Sequence, residues 1–169
     1  RGGRKGARGG WAGVSAGAEG VVLEETVVGD LGWSVGSGGA TEGAWERAIP
    51  VNDPGWAYDP QSDADGSAGF CFVTDNAAGN SDVDGGETIL VSPPLDLTVG
   101  AITFCYQYYL YLTVEDGFDG IRVEISENGD AGPWTLIAEH TENRTVFWTR
   151  HAITQADLDG AGVTLTSDM

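Results

Sequence analysis

The sequence is poor in positive charge. Eight lysines and arginines stand against 26 aspartates and glutamates in 169 residues, for a formal net charge of −18. Four of the eight (Arg1, Arg4, Lys5 and Arg8) lie in the first eight positions, which hold no acid, so residues 9–169 carry 4 − 26 = −22. Such a body repels phosphate backbones, which excludes nucleic acid as a natural partner. It attracts divalent cations, or simply stays solvated at high salt. Long apolar runs are also missing. No window approaches the ~20 consecutive apolar residues of a membrane span, so membrane insertion is not expected.

Histidine and cysteine are equally scarce. His140 and His151 are the only histidines. Neither belongs to an HExxH or to the Cys–His spacing of a zinc site, and both read as exposed polar residues. The two cysteines, Cys71 and Cys105, each fall inside an expected strand. They read either as buried small hydrophobes or as a disulfide between neighbouring strands or sheets.

Catalytic motifs are absent or misplaced. GVSAG (13–17) has the form G-x-S-x-G, but a Gly-rich basic stretch precedes it where a hydrolase needs a buried strand. A glycosidase needs two carboxylates facing one cleft, one with a raised pKa. Among 26 acids some pair will fit that description by chance, so no catalytic residue is assigned and an enzyme is not expected. Asn143-Arg144-Thr145 reads as a chance glycosylation sequon.

Helix-favouring runs are few, and glycine is abundant at 27 residues. What the chain does carry is the period of strands. In AITFCYQYYLYLTV (101–114), Ile102, Phe104, Tyr106, Tyr108, Leu110, Leu112 and Val114 share one face. Thr103, Cys105, Gln107, Tyr109, Tyr111 and Thr113 share the other, so strict alternation predicts a central strand with the first set facing the core. Further strands are expected at 21–27, 31–35, 70–74, 87–92, 121–125, 134–139, 145–153 and, less clearly, 163–167. ITQADLDG (153–160) has room for a helical turn, and residues 49–68 read as a surface loop. Short strands between Gly/Asp/Asn/Pro turns predict an all-β fold, a two-sheet antiparallel β-sandwich.

Residues 1–20 are Gly/Ala-rich and basic, lack the continuous apolar core of a secretory signal, and read as a flexible tail or linker. Residues 21–169 are then one module, large enough to bury about 70% of its unfolded surface. The abrupt end at TLTSDM suggests a piece of a longer chain, with VTLTSDM poorly anchored.

A family resemblance is carried by LEETVVGDLGWSVG, GAWERAIP, GFCFVTDNAAGN, DVDGGETILVSPPLDL, ITFCYQYYL and DGFDGIRVEISENGDAGPWTLI, in this order. Together they resemble the MAM-like, galactose-binding-like jelly-roll modules attached to secreted bacterial proteins, many of them extracellular peptidases. The resemblance implies a jelly roll over residues 21–169. Because the family closes with a strand past the point where this sequence stops, the last strand is expected to be missing. It also implies a secreted or cell-surface location, neighbouring domains in a larger chain, and a non-catalytic accessory role. That role is the binding of a glycan or protein ligand. The alternatives are a structural spacer beside a peptidase domain and, more distantly, a small hydrolase.

Two sets of residues are candidates for binding. Hard cations want six to eight oxygens, and DVDGG places Asp82 and Asp84 one strand step apart before a glycine pair. Asp and Gly also occur in such turns for backbone geometry alone. Asp116 and Asp119, in a loop joining two core strands, and Glu24 on the first strand complete the candidate ligands. The spacing is not that of an EF-hand, and calcium is the metal that the resemblance to calcium-stabilised jelly rolls favours. The second set is aromatic. Trp33, Trp134 and Trp148 are expected in the core. Tyr109 and Tyr111 lie on the polar face of their strand, and Trp56 and Tyr58 in the long loop. Exposed rings stack on sugars or anchor proteins; the same rings would otherwise cover the second face of the sandwich.

Overall fold

The computed structural model describes residues 8–12, 32–56, 58, 60–98, 102–112, 119–142 and 144–169, and for 8–12 and 144–146 the backbone alone. The strand expected at 21–27, and the boundary expected at residue 20, lie outside the described residues. Those described form an all-β structure: β1 (Arg8–Ala12), β2 (Ser34–Gly38), β3 (Trp45–Ala48), β4 (Cys71–Thr74), β5 (Glu87–Val91), β6 (Thr103–Tyr111), β7 (Ile121–Asp130), β8 (Trp134–His140) and β9 (Arg144–Thr154), followed by a short helix α1 (Gln155–Gly160). A five-stranded sheet runs β3-β4-β1-β6-β9, and β2-β5 and β7-β8 form two pairs. All these strand pairs are antiparallel.

β6 follows the register expected from its alternation. Ile102, Tyr106, Tyr108, Leu110 and Leu112 are 0–4% exposed and join the main core cluster, with half-buried Phe104 packed at its margin. The β7-β8 hairpin contributes Ile125 to this core, with Ile121, Val123, Ile137 and Ala138 packed against it. Ile153 of β9 and Leu158 of α1 fill one end. Burying apolar surface on this face drives the two elements together.

DVDGG is a strand-entry turn. Asp84 bridges to Glu42, and Gly85 takes a positive φ of 84°. A Cβ on Gly86 would lie 2.6 Å from the carbonyl carbon of Gly39, so only glycine lets the two backbones approach this closely. β5 starts at the next residue. α1 is set by a capping box: the Thr154 side chain accepts from the Asp157 N–H, and the Asp157 carboxylate accepts from the Thr154 N–H at 2.8 Å.

Four expectations differ from the structure. Part of the segment read as a tail, Arg8–Ala12, is a strand held between β4 and β6. RGGWA shows no apolar alternation, but a central strand is paid its hydrogen bonds from both sides and needs little side-chain signal. Residues 163–167 are not a strand, yet they are firmly placed. Leu95 and Met169 exchange two backbone hydrogen bonds, at 2.9 and 3.0 Å, and Leu97 N–H donates to the Thr166 carbonyl at 2.9 Å. Val163 and Met169 are buried in the core cluster, so VTLTSDM is anchored rather than loose. Trp134 is 43% exposed on the outer side of β8 instead of lying in the core.

Candidate functional site

Among the described residues the acidic candidates do not assemble. Asp82 is buried, and its carboxylate accepts from the Asn80 amide at 2.7 Å. Asp84 is fixed by its backbone, which accepts from Thr41 N–H at 2.8 Å. Asp119 sits just before β7, while Asp116 and Glu24 lie outside the described residues. Among the described residues no group of three or more His, Cys, Asp or Glu is placed to hold a metal ion. A calcium ion needs six to eight oxygens, and Asp82, Asp84 and Asp119 do not by themselves form such a group.

The aromatic candidates largely do assemble. Loop 49–68 brings Trp56 and Tyr58 over the β6 face that carries Tyr109 and Tyr111. Trp56 and Tyr58 meet edge to face at 4.8 Å, and Tyr58 lies 4.2 Å from Tyr111. All three rings are half-buried. The Tyr111 hydroxyl is raised above its ordinary pKa, first by burial and then by the charge and hydrogen bond of Tyr58. Of the two roles expected for these rings, exposed platform or cover for the sheet face, Tyr109 fits the second. It is 4% exposed, and Trp148 meets it edge to face at 6.0 Å. Trp148 in turn ties the loop down, its indole N–H donating to the Ser62 carbonyl at 3.0 Å.

The loop is held by its acids. Asp53 accepts from the N–H groups of Gly55 and Gly79 at 2.7 and 2.8 Å. Asp63 accepts from the Ser67 N–H and hydroxyl, both at 2.9 Å. These carboxylates therefore shape the backbone around the aromatic cluster, a role that Asp and Gly play in turns generally.

Sequence reasoning missed a second cluster. His140 of β8 and His151 of β9 meet around Tyr106 of β6. Burial, and then the neighbouring Tyr108, raise the Tyr106 hydroxyl above the ordinary tyrosine range. This hydroxyl shares a hydrogen bond with His140 Nε2 at 2.7 Å. His140 also stacks on Tyr108 at 3.9 Å, and His151 closes the group 4.9 Å from His140. Tyr106 is only 3% exposed, and the two histidines are half-buried. The signal available in the sequence was that Tyr106 falls on the core face and, as a buried phenol, needs a partner.

The cysteines are both free thiols. β1 lies between their strands. Strands two places apart are separated by about 9.5 Å, beyond the ~7 Å that a disulfide spans. Comparison with protein families, with curated proteins and with solved structures finds no match to this chain.

Proposed function

We propose that the chain is a non-catalytic β-sandwich accessory module of a secreted or cell-surface protein, and that it binds a glycan through the Trp56–Tyr58–Tyr111 cluster. The observation that carries this reading is the convergence of these three rings, from a loop and a strand, at centroid distances of 4.8 and 4.2 Å. Half-buried rings held by a hydrogen-bonded loop are pre-organised, which lowers the ordering cost of binding. Sugar rings present C–H faces that pack on aromatic faces, while the loop's backbone and carboxylates supply hydrogen-bonding groups at the rim. The MAM-like motif order supports the same accessory role, with neighbouring domains in a larger chain.

The test is calorimetric titration of the whole chain with neutral oligosaccharides of several linkages. Binding that Tyr58→Ala weakens at least tenfold, with the far-ultraviolet spectrum unchanged, supports the reading. Binding insensitive to Tyr58 and Trp56 moves the site elsewhere. No binding to any saccharide favours the second reading, a structural spacer beside a peptidase domain. The bond from Trp148 to Ser62 and the burial of Tyr109 support that alternative, because they give part of the aromatic set a covering role.

A further inference from the structure

The same sheet face continues along β6 past the loop, and there the chemistry changes. Gln107 follows Tyr109 on this face, and β9 sets Arg150 directly across from it. Arg150 is exposed, and Gln107, Cys105 and Trp148 are half-buried. Three arginine side chains are described, and two are engaged by other groups. Arg47 lies over the Phe70 ring at 4.3 Å, and Arg122 bridges Glu87 and Glu139 at 3.4 and 2.9 Å. Arg150 donates from Nη2 to the Cys105 sulfur at 2.8 Å and, among the described residues, meets no carboxylate. Of the three, Arg150 is the one that the described residues leave with neither a carboxylate nor an aromatic ring against its guanidinium. Its neighbours on the face, Cys105, Gln107, Trp148 and Ala152, carry no acid.

We propose that Arg150, Gln107 and Trp148 form a subsite for the carboxylate of an acidic sugar, a uronic acid residue of a polysaccharide. This rests on the glycan-binding reading and names the ligand class for it. A guanidinium presents a planar fork that pairs a carboxylate with two parallel hydrogen bonds. The Gln107 amide has both donor and acceptor for the adjacent hydroxyls. Trp148 borders the subsite with an apolar wall suited to the C–H face of a sugar ring. At ionic strength of about 0.15 M the Debye length is about 8 Å, so acids farther than this are screened while a contact pair at Arg150 is not. An acidic peptide shares the carboxylate but has no ring for the wall, which favours the sugar.

The experiment titrates the whole chain at about 0.15 M ionic strength with trigalacturonate, its neutral methyl ester, neutral cellotriose and a glutamate tripeptide. Trigalacturonate is expected to bind at least about tenfold tighter than the ester, the ratio for one charge-assisted hydrogen bond. Arg150→Gln should abolish that preference, and Arg150→Lys should keep part of it. On the unmodified protein, trigalacturonate should shift the Arg150 Nε–H and Gln107 side-chain amide resonances, a readout that needs no variant. Equal binding of acid and ester, an unchanged preference in Arg150→Gln, or unmoved Arg150 and Gln107 signals each overturn the proposal. Equally tight binding of the glutamate tripeptide also overturns the assignment to sugar. Neutral cellotriose binding that depends on Tyr58, without any acid preference, leaves the glycan-binding reading intact and removes this one. Failure of every saccharide removes both.

Discussion

Cys71 and Cys105 share a residue type and differ in everything else. Cys71 is fully buried, and burial, with some help from the charge of Asp63, pushes its thiol up to about 12. The thiolate is the reactive form, so Cys71 is inert in the folded protein. Cys105 is half-buried, with the exposed Arg150 against its sulfur at 2.8 Å. A disulfide-exchange reagent at pH 8 is therefore expected to label one thiol of the native chain quickly and the second only on unfolding. Two equivalents at one rate would place Cys71 at the surface. Core residues are graded in the same way by their surroundings. Leu110 is 0% exposed in the main cluster, so Leu110→Ala should cost about 2–5 kcal/mol in a denaturant melt. Phe104, half-buried at the margin, should lose less on truncation than a fully enclosed phenylalanine. A Leu110→Ala cost below about 1 kcal/mol would contradict the packing described.

At the level of elements, α1 depends on one hydrogen-bonded carboxylate. Bonds from the Thr154 backbone, and then its side chain, hold the Asp157 carboxyl below the usual 3.8, with His151 adding least. A group with a lowered folded pKa stabilises the structure above its unfolded pKa and loses that contribution as pH falls through the folded value. The cap should therefore persist through mild acid and be lost only below about pH 4, read by exchange of the Ala161 and Val163 amides that close the helix. Asp157→Asn should flatten that dependence; an unaltered profile would mean that another group controls it. The helical turn was legible in ITQADLDG because Thr, Asp and Leu stand at cap and anchor positions. β6 was legible because its two faces differ in polarity. β1 was not, since Arg8–Ala12 contains two glycines and owes its conformation to pairing on both sides. The aromatic cluster was legible only as separate residues. Proximity of Tyr58 to Tyr111 depends on how loop 49–68 folds back, which local periodicity does not encode. The His140–Tyr106–His151 group was hidden for the same reason, as it joins three strands.

For the whole molecule, charge is the dominant variable. The net charge of −18 repels itself in the compact state, and the two ion pairs of Arg122 are exposed, at 55–67% and 41–55% of their side chains. Exposed pairs of this kind are worth about 0–1 kcal/mol and weaken as salt rises. Repulsion among 26 acids weakens over the same range, and against eight bases it is the larger effect. The Debye length falls from about 30 Å at 0.01 M to about 10 Å at 0.1 M, so most of the screening arrives at low salt. The melting temperature is therefore expected to rise with sodium chloride, steeply up to roughly 0.1 M and more gently beyond it. A flat or falling curve would mean that local ion pairs outweigh the net charge. The same melt at constant ionic strength separates screening from a specific cation site, because calcium and magnesium screen alike. Any increment from calcium over magnesium then reports a coordination site. Loss of that increment in Asp84→Asn would put the site at DVDGG, where the sequence suggested it, whereas persistence would put it among other carboxylates.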